Sequence, residues 1–259
     1  MPDFLDILAE DAMKSIKEGY YETASEVASS PSSLKESILN CKRAPIIAEI
    51  KQTSPSMGAL RKNSHVEKIA KSMEEGGVVG ISILTEPKHF DGNIRFISKV
   101  RNQVKVPILM KDMILSLIQI EAASKIGANA ILLIQSLFDR GYCEEDTQSM
   151  IKHSHCMGLE VLLETHTEDE FSSALKTDTD MIGINNRNLE TLKVDLQVTK
   201  RILAKHHVEG KIIVSESGIN SPRDIRSLRE SGAQAFLVGT AIMKANGIKK
   251  KVMELVEAL

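Results

Sequence analysis

The sequence predicts an α/β fold, a closed (β/α)8 TIM barrel with an additional N-terminal helical segment. Three observations support this prediction. Eight short apolar runs succeed one another along the chain, each ends in polar residues, and an amphipathic helical pattern usually comes next. No long Gly/Ser/Pro linker or low-complexity segment interrupts the 259 residues. We therefore expect residues 1–259 to form a single domain, with residues 1–44 as a helical extension packed on the barrel.

The N-terminal segment has the pattern of an amphipathic helix from residue 1 to about residue 28. Its apolar residues recur at i, i+3 and i+4 spacing, at Phe4, Leu5, Leu8, Ala12, Met13 and Ile16. A Ser/Pro-rich stretch at residues 29–32 ends this helix. Ser33 and Glu36 then form a capping-box pattern, which predicts a second short helix. Because the segment precedes every run with strand character, we expect it to pack on the barrel.

The eight apolar runs predict parallel strands, because strand–turn–helix repeats of this spacing build βαβ units. The runs are centred near Ile46, Val79, Ile108, Ile131, Val161, Ile182, Ile213 and Phe236. An open, doubly wound sheet is the alternative architecture. No G-x-G-x-x-G follows the first run, which argues against a dinucleotide-binding sheet of that kind. Eight repeats without a boundary favour the closed barrel.

Local patterns mark where several intervening helices begin and end. Residues 64–67 and 167–170 have capping-box spacing, and Ser221 precedes a proline at the first position of another predicted helix. The pair Gly76-Gly77 ends the first of these helices. These signals agree with the strand positions, since each predicted helix lies between two apolar runs.

Composition narrows the classes of function. The net charge of −2, the 3% aromatic content and the absence of tryptophan argue against a nucleic-acid partner. No apolar run approaches membrane-spanning length, and the acidic N-terminus does not look like a secretory signal, so we expect no membrane partner. Three widely spaced cysteines, Cys41, Cys143 and Cys156, indicate a reducing compartment. We therefore expect a cytoplasmic protein.

A short histidine-rich stretch invites a metal-site interpretation. His153, His155 and Cys156 lie close together in the sequence. On a helix, however, residues i and i+2 do not share a face, and no other ligand cluster is evident. We expect no metal site. Cys143 has no histidine near it in the sequence, so we interpret it as structural rather than nucleophilic.

Charged and polar residues stand where several predicted strands end, and in a barrel these ends form the functional face. One such residue alone is usually a solvated surface group. Several on one mouth are costly unless they are used, because like charges repel and each loses solvation. The set suits acid–base catalysis on an anionic small molecule. Its members, in chain order, are Glu49, Lys51, Lys111, Glu164, Asn185, Arg187 and Glu216.

Glycines follow the last two predicted strands and suggest a phosphate site. Gly218 follows the seventh strand, and Gly239 with Thr240 follows the eighth. Glycine permits close approach of the backbone to an anion, and the N–H groups at a helix start can hold it. Gly218 alone would indicate only a tight turn. Glycines in both loops favour a phosphorylated small molecule as the ligand.

Seven stretches in order along almost the whole chain resemble the indole-3-glycerol phosphate synthase family. They are IAEIK (47–51), SPS (54–56), LTEPKHF (84–90), PILMKD (107–112), IGINNRNL (182–189), VSESGI (214–219) and FLVG (236–239). The N-terminal segment also resembles the extension of that family. The resemblance implies a (β/α)8 carboxy-lyase of tryptophan biosynthesis that works without metal or organic cofactor. Its reaction converts 1-(2-carboxyphenylamino)-1-deoxyribulose 5-phosphate into indole-3-glycerol phosphate, carbon dioxide and water.

The resemblance also implies a role for each matching residue. Lys111 would be the general acid that protonates the substrate ketone during ring closure. Glu164 and Lys51 match the residues proposed for the final dehydration, and which of them is the acid stays open. Glu49 would orient both lysines by its charge. Asn185 and Glu216 would hold polar groups of the substrate, and Arg187 would be a carboxylate or electrostatic partner. The aromatic ring would be walled by Phe90, Leu189 and Pro55, and the phosphate would be bound by Ser54, Ser217, Gly218, Gly239 and Thr240.

The chain departs from the family pattern at Met113, where phenylalanine is frequent, so one wall of the ring pocket is expected to be softer. Two alternatives stay open. Another phosphate-binding barrel, such as a phosphoribosylanthranilate isomerase, has no place for the N-terminal segment. A non-catalytic phosphosugar-binding barrel has no need of Lys51, Lys111 and Glu164 together. We expect a phosphorylated small molecule as the partner and a monomer, with a weak dimer as the alternative.

Overall fold

Eight parallel strands close into a barrel. The computed structural model describes residues 3–22, 27, 32–54, 58–61, 65–189 and 191–259. The barrel strands are β1 (Ile46–Ile50), β2 (Gly80–Leu84), β3 (Ile108–Lys111), β4 (Ala130–Ile134), β5 (Glu160–Thr165), β6 (Met181–Asn185), β7 (Ile212–Glu216) and β8 (Ala235–Val238). Each strand pairs in parallel with the next, and β8 pairs with β1, with Ile46 opposite Phe236. The predicted closed barrel is confirmed, and the open sheet is excluded.

Helices precede the barrel and fill most of the connections between its strands. They are α1 (Phe4–Lys17), α2 (Leu34–Leu39), α3 (Val66–Glu75), α4 (Arg95–Arg101), α5 (Leu117–Lys125), α6 (Gln135–Asp139), α7 (Thr147–Cys156), α8 (Glu168–Ala174), α9 (Gln197–Lys205), α10 (Pro222–Glu230), α11 (Thr240–Met243) and α12 (Ile248–Val256). Within the described ranges, none of these helices is long and apolar enough to cross a membrane.

Most of the predicted helix boundaries are confirmed. Ser33, Thr167 and Ser221 each accept a hydrogen bond from the backbone N–H three residues later, at the starts of α2, α8 and α10. The pair Gly76-Gly77 ends α3, and Gly77 takes a left-handed φ of 94°. The predicted cap Ser64 lies outside the described residues. Helix α3 begins after His65, whose side chain makes no capping hydrogen bond.

Helix α1 is shorter than predicted: it ends at Lys17, whereas the sequence pattern extends to about residue 28. The amide of Glu18 still donates to the carbonyl of Lys14. Gly19 then adopts a left-handed conformation with φ of 74°, which is typical of a residue that ends a helix. Residues 23–26 and 28–31 lie outside the described part of the chain.

The N-terminal segment contacts both ends of the barrel. Leu5 of α1 lines the cavity at the carboxyl ends of the strands. Leu34 of α2 packs against Gly80, at the opposite end of β2. The carboxylate of Glu160, at the start of β5, accepts hydrogen bonds from two amides of the first turn of α2, at 2.7 and 3.1 Å, and from the hydroxyl of Ser33. These contacts hold α2 at the amino end of the barrel.

Alternation along the strands decides which side chains enter the barrel. In β1, Ile46, Ala48 and Ile50 pack in the apolar layer toward the helices, whereas Ile47 packs in the barrel interior. The interior layer also includes Leu109, Leu132, Leu162, Val214 and Leu237. Two residues further along each strand, the next inward positions line the cavity and are mostly polar: Glu49, Lys111, Ile134, Glu164, Glu216 and Gly239. The period of two therefore places the charged groups above an apolar floor.

We expect Glu160→Ala to lower the free energy of unfolding by about 1–2 kcal/mol, because the first turn of α2 loses its carboxylate acceptor. Urea denaturation would measure the change. Glu145→Ala is the matched control, since Glu145 is exposed in the loop before α7, and it should stay within about 0.5 kcal/mol of the parent. Equal stabilities for the two variants would contradict the assigned role of Glu160.

Candidate active site

A cavity of about 550 Å³ opens at the carboxyl ends of the strands, and its size is typical of small-molecule sites. Strand ends, the loops after β2, β6, β7 and β8, and helix α1 form its walls. The lining includes most of the residues predicted from the sequence: Glu49, Lys51, Phe90, Lys111, Glu164, Asn185, Arg187, Leu189, Glu216, Ser217, Gly218, Gly239 and Thr240. The barrel therefore brings together residues that are far apart in the sequence. Their chemical roles stay predictions.

Two predicted phosphate or ring contacts belong to the loop after β1. Ser54 lies in a short antiparallel hairpin that pairs Thr53–Ser54 with Gly58–Ala59. The side chain of Ser54 and the whole of Pro55 lie outside the described part of the structure. Arg61, at the far side of this loop, donates to the carbonyls of Met243 and Ala245 at 2.8 and 2.5 Å. That contact ties the loop to the segment after β8.

Lys111 lies at the centre of the charged groups. Its ammonium Nζ donates to Glu164 Oε2 at 2.9 Å and to Glu216 Oε2 at 3.1 Å. The side chain of Lys111 is 15% exposed, and the side chains of Glu164 and Glu216 are 4% and 2% exposed. Burial alone would lower the pKa of Lys111, but the charges of Glu164, Glu216 and Glu49 outweigh it and hold the pKa above its ordinary value. Lys111 is therefore an ammonium ion in the resting site.

The pKa values of the two carboxylates beside Lys111 shift in opposite directions. Burial raises the pKa of Glu216, the charge of Glu164 raises it further, and Lys111 only partly opposes this. Burial also acts on Glu164, but Lys111 and His166 pull its pKa below the ordinary value. Two carboxylates that share one cation cannot both ionise easily. Glu164 therefore stays ionised to lower pH than Glu216, which binds a proton more readily.

A second ion pair faces this group from β1. Lys51 Nζ lies 2.7 Å from Glu49 Oε1, and the glutamate is buried. Gly239 packs directly against this carboxylate, since a Cβ at that position would overlap Glu49 Oε1. Gly183 of β6 makes room for Glu216 in the same way. Both glycines therefore lie where a side chain would displace a carboxylate of the site.

The loop after β6 supplies an amide and a guanidinium. Asn185 Oδ1 accepts a hydrogen bond from the amide of Arg187 at 3.0 Å. The guanidinium of Arg187 donates to the carbonyl of Leu192 at 2.8 Å, which fixes it on the cavity wall. Burial lowers the pKa of Arg187, an effect that the charge of Glu49 opposes. A half-buried guanidinium so placed can bind an anionic group of a ligand.

Another part of the wall is apolar, and α1 contributes to it. The sequence predicts the apolar stripe of the N-terminal segment, but it does not assign Phe4, Leu5 and Leu8 to the site. They line the cavity together with Leu84, Phe90, Met113, Ile134 and Leu189. Beside them, the carboxylate of Glu86 accepts hydrogen bonds from the amides of Lys88, His89 and Phe90, which orders the loop carrying Phe90. This wall suits an aromatic ring.

The loops after β7 and β8 form another part of the wall. Ser217 and Gly218 both adopt left-handed backbone conformations, with φ of 66° and 83°. The buried Asn186 supports this bend, because its Nδ2 donates to the carbonyls of Glu216 and Ser217 at 2.8 and 3.2 Å. Its Oδ1 accepts from the hydroxyl of Thr199 at 2.8 Å. Asn186 follows Asn185 in the sequence, and only the packed structure distinguishes their roles.

Two further buried groups near Lys111 were not predicted from the sequence. His166 lies two residues after Glu164 and approaches that carboxylate at 3.2 Å. Asp112 is fully buried and accepts from Thr85 Oγ1 at 2.5 Å and from the amide of Met113 at 2.8 Å. Burial raises the pKa of Asp112 to about 7. Because side chains alternate along a strand, the two-residue spacing of Glu164 and His166 could have predicted that they share a face.

The described residues contain no group of three or more His, Cys, Asp or Glu side chains that could hold a metal ion. Burial raises the pKa of the Cys143 thiol to about 12, which keeps it protonated and unsuited to nucleophilic attack.

Comparison with known proteins assigns the chain to a family. A family model described as indole-3-glycerol phosphate synthase matches residues 7–255. The chain belongs to the indole-3-glycerol phosphate synthase family. The resemblance drawn from the seven sequence stretches is therefore confirmed, as is the predicted class, a lyase of tryptophan biosynthesis.

Several members of this family are similar to the chain over most of its length. The indole-3-glycerol phosphate synthase of Methanocaldococcus jannaschii is 44% identical over 214 residues, which cover 82% of this chain and 77% of that protein. The enzyme of Caldanaerobacter subterraneus subsp. tengcongensis is 40% identical, with coverage of 80% and 78%. The enzyme of Campylobacter fetus subsp. fetus is 39% identical, with coverage of 81% and 80%.

Solved structures of other enzymes share the architecture. A thiamine phosphate pyrophosphorylase from Pyrococcus furiosus aligns with a TM-score of 0.60 at 16% identity and covers 85% of this chain and 96% of its own. An N-acetylmannosamine-6-phosphate 2-epimerase from Clostridium perfringens aligns at 0.57 and 14% identity, with coverage of 79% and 90%. At such low identity these similarities show the fold alone. They agree with the predicted TIM barrel.

We expect Gly183→Ala to lower kcat by about 10-fold or more, because the new Cβ displaces the Glu216 carboxylate from Lys111. Steady-state turnover of the family substrate measures this. Gly247→Ala is the matched control, since a Cβ there meets its nearest neighbour at an ordinary 3.6 Å. An unchanged kcat in a folded Gly183→Ala protein would contradict the close packing of Gly183 on Glu216.

We expect Asp112→Asn to flatten the pH dependence of stability between about pH 4 and pH 7. The folded pKa of Asp112 is raised to about 7, so the native state keeps a proton that the unfolded state releases, and stability falls as the pH rises. The contribution of Asp112 to this slope is about 1 kcal/mol per pH unit, and the variant lacks that contribution. Urea denaturation at several pH values compares them, and parallel curves would show that Asp112 does not titrate in this way.

Proposed function

We propose that this chain converts 1-(2-carboxyphenylamino)-1-deoxyribulose 5-phosphate into indole-3-glycerol phosphate, carbon dioxide and water. One observation carries the proposal. The ammonium of Lys111 bridges two buried carboxylates in a cavity that also has an apolar wall and glycine-containing loops. Such a site offers an acid, a base, a ring-binding surface and an anion-binding region within one pocket. Family membership identifies the reaction that uses these four elements.

The cavity lining accounts for how such a substrate is held. We assign the carboxyphenyl ring to the wall formed by Phe90 and Leu189, together with the apolar side of α1. We assign the phosphate to the loops after β7 and β8, where Ser217, Gly218 and Gly239 expose backbone groups beside the cavity. Ser54 and Pro55 of the first loop stay proposed contacts of the phosphate and the ring.

The remaining polar groups of the cavity orient the substrate. Arg187 faces the cavity as a cation and is assigned to the substrate carboxylate. Asn185 and Glu216 are assigned to hydroxyl groups of the sugar chain. The protonated form of Glu216 can donate a hydrogen bond as well as accept one. The hydroxyl of Thr240, which lines the cavity, is assigned to the phosphate.

Ring closure begins at Lys111. The aromatic carbon that bears the carboxylate attacks the ketone carbon, and Lys111 gives its proton to the ketone oxygen as the new carbon–carbon bond forms. The carboxylate then leaves as carbon dioxide, and the electrons of the broken bond restore the ring. Because Glu164 and Glu216 preorganise the ammonium, the developing charge on oxygen meets a proton donor that needs no reorientation. Lys111 regains a proton from solvent before the next turnover.

Dehydration completes the indole ring. The former ketone oxygen leaves as water after accepting a second proton, while a base removes a proton from the neighbouring carbon that is bonded to nitrogen. We assign Lys51 as the acid, because Glu49 holds its ammonium at 2.7 Å. We assign Glu164 as the base. Its proton affinity rises once Lys111 has given up the charge that stabilised the carboxylate, so the first step prepares the second.

We also propose that the enzyme acts in the cytoplasm as a monomer. Cys41, Cys143 and Cys156 are free thiols in the structure, which suits a reducing compartment. The large apolar side chains exposed among the described residues are scattered: Ile7, Leu39, Val194, Met253 and Leu259. Sedimentation velocity measures the oligomeric state, and a concentration-dependent dimer would support the alternative.

We expect Lys111→Met to lower kcat by about 10²–10⁴-fold, because the ketone loses its proton donor. The appearance of indole absorbance on addition of the family substrate, in a buffer containing a chelator, measures turnover. Lys152→Met, on the exposed face of α7, is the matched control and should keep parental activity. Near-parental turnover by Lys111→Met would contradict the role of Lys111. Absence of indole product from the parent protein would contradict the proposed reaction.

A further inference from the structure

The contacts of Lys111 alone do not choose between the two carboxylates beside it. Its Nζ is 2.9 Å from Glu164 and 3.1 Å from Glu216, and both carboxylates are almost fully buried. One ammonium cannot fully neutralise two carboxylates, so one of them binds a proton more readily than the other. The charge of a second group must therefore determine which carboxylate stays ionised, and hence which one can act as a base.

His166 lies beside Glu164, where its charge can favour the ionised form of that carboxylate. Its imidazole is 8% exposed, and its Nε2 lies 3.2 Å from Glu164 Oε1. This is the oxygen that Lys111 does not take, because Lys111 binds Oε2. Glu164 therefore lies between two cationic groups, whereas the described contacts of Glu216 include one, Lys111.

A second carboxylate faces the imidazole from its other side. Glu170 Oε2, on α8, lies 3.5 Å from His166 Nδ1 and also accepts the backbone amide of His166 at 2.7 Å. Ser136 of α6 donates to Glu170 Oε1 at 2.8 Å. The groups facing this row are Glu164 and Glu170 and, beyond Glu164, Lys111 and Glu216. Positive and negative groups thus alternate from the cavity to α8, as Lys111, Glu164, His166 and Glu170.

We propose that His166 is a positioning residue whose imidazolium makes Glu164, rather than Glu216, the ionised carboxylate of the site. This rests on the proposed function of Glu164 as the base in dehydration. When Lys111 has given its proton to the ketone, the imidazolium near Oε1 is the counter-charge that keeps Glu164 anionic. Oε2 is then free to accept the proton from the substrate. Burial disfavours a charged imidazole, but Glu164 and Glu170 raise the pKa of His166 to about 9.

The direct test is a carboxyl titration that does not depend on turnover. Protein labelled with 13C at the glutamate carboxyl carbon is titrated by NMR, and Glu164→Gln assigns the signal of Glu164. In the parent, Glu164 should stay ionised below its ordinary pKa of 4.5. In His166→Gln its midpoint should rise by about one pH unit or more, because one of its two counter-charges is gone. His166→Lys, which restores a cation, should bring the midpoint back down.

Two controls keep this test specific. His155→Gln removes a surface imidazole that is paired with Asp180 at 2.9 Å, and it should leave the Glu164 midpoint unchanged. If His166→Gln does not fold, 15N-histidine spectra of the parent decide instead, since the proposal requires both nitrogens of His166 to be protonated at pH 7. An unmoved Glu164 midpoint in folded His166→Gln, or a neutral His166 at that pH, would overturn the proposal.

The pH dependence of turnover provides the link to function. The acid limb of kcat should move to higher pH in His166→Gln and return toward the parent in His166→Lys, whereas a purely structural role would lower kcat without moving the limb. Full activity of Glu164→Gln would contradict the proposed role of Glu164 as the base. It would not change the Glu164 midpoints measured by NMR in the parent and in the His166 variants. The two failures can therefore be told apart.

Discussion

The ammonium of Lys111 lies between the buried carboxylates of Glu164 and Glu216, and the rest of the site depends on this contact. Three strands, β3, β5 and β7, must deliver their inward side chains to one point, which only a closed barrel with this register achieves. Removing one partner would leave an uncompensated buried charge, which typically costs several kcal/mol. The contact that prepares the acid is therefore also a constraint on stability.

The surrounding residues make this arrangement possible. Gly183 and Gly239 are small enough for carboxylates to lie against the strands. The side-chain amide of Asn186 donates to the carbonyl of Ser217 and stabilises the left-handed backbone of that residue beside the cavity. Helix α1 contributes apolar side chains to the wall of the cavity that holds the ion pairs. His166 extends the row of charges toward α8.

Much of this organisation could be predicted from the sequence, because buried parallel strands read as continuous apolar runs. Eight such runs alternating with helical patterns indicated the barrel, and the charges at their ends indicated the groups on its mouth, including Lys111. The extent of α1 could not be predicted, because its apolar pattern continues while Gly19 turns the backbone just after Lys17. His166 and Gly183 were missed for another reason. Gly183 meets Glu216 of β7 only after the barrel closes, and the importance of His166 depends on Glu170 of α8 and on the charges that pack around Glu164.

The central claim is that Lys111 is held as an ammonium by its two carboxylates before the substrate binds. The 15N signal of its side-chain nitrogen, assigned by comparison with a Lys111 variant and followed through a pH titration of the ligand-free protein, tests this directly. The structure requires the ammonium form to persist above pH 10.5, the ordinary pKa of lysine, because carboxylate charge outweighs burial. A midpoint below that value would show that burial dominates, and would contradict the account of how the acid is prepared.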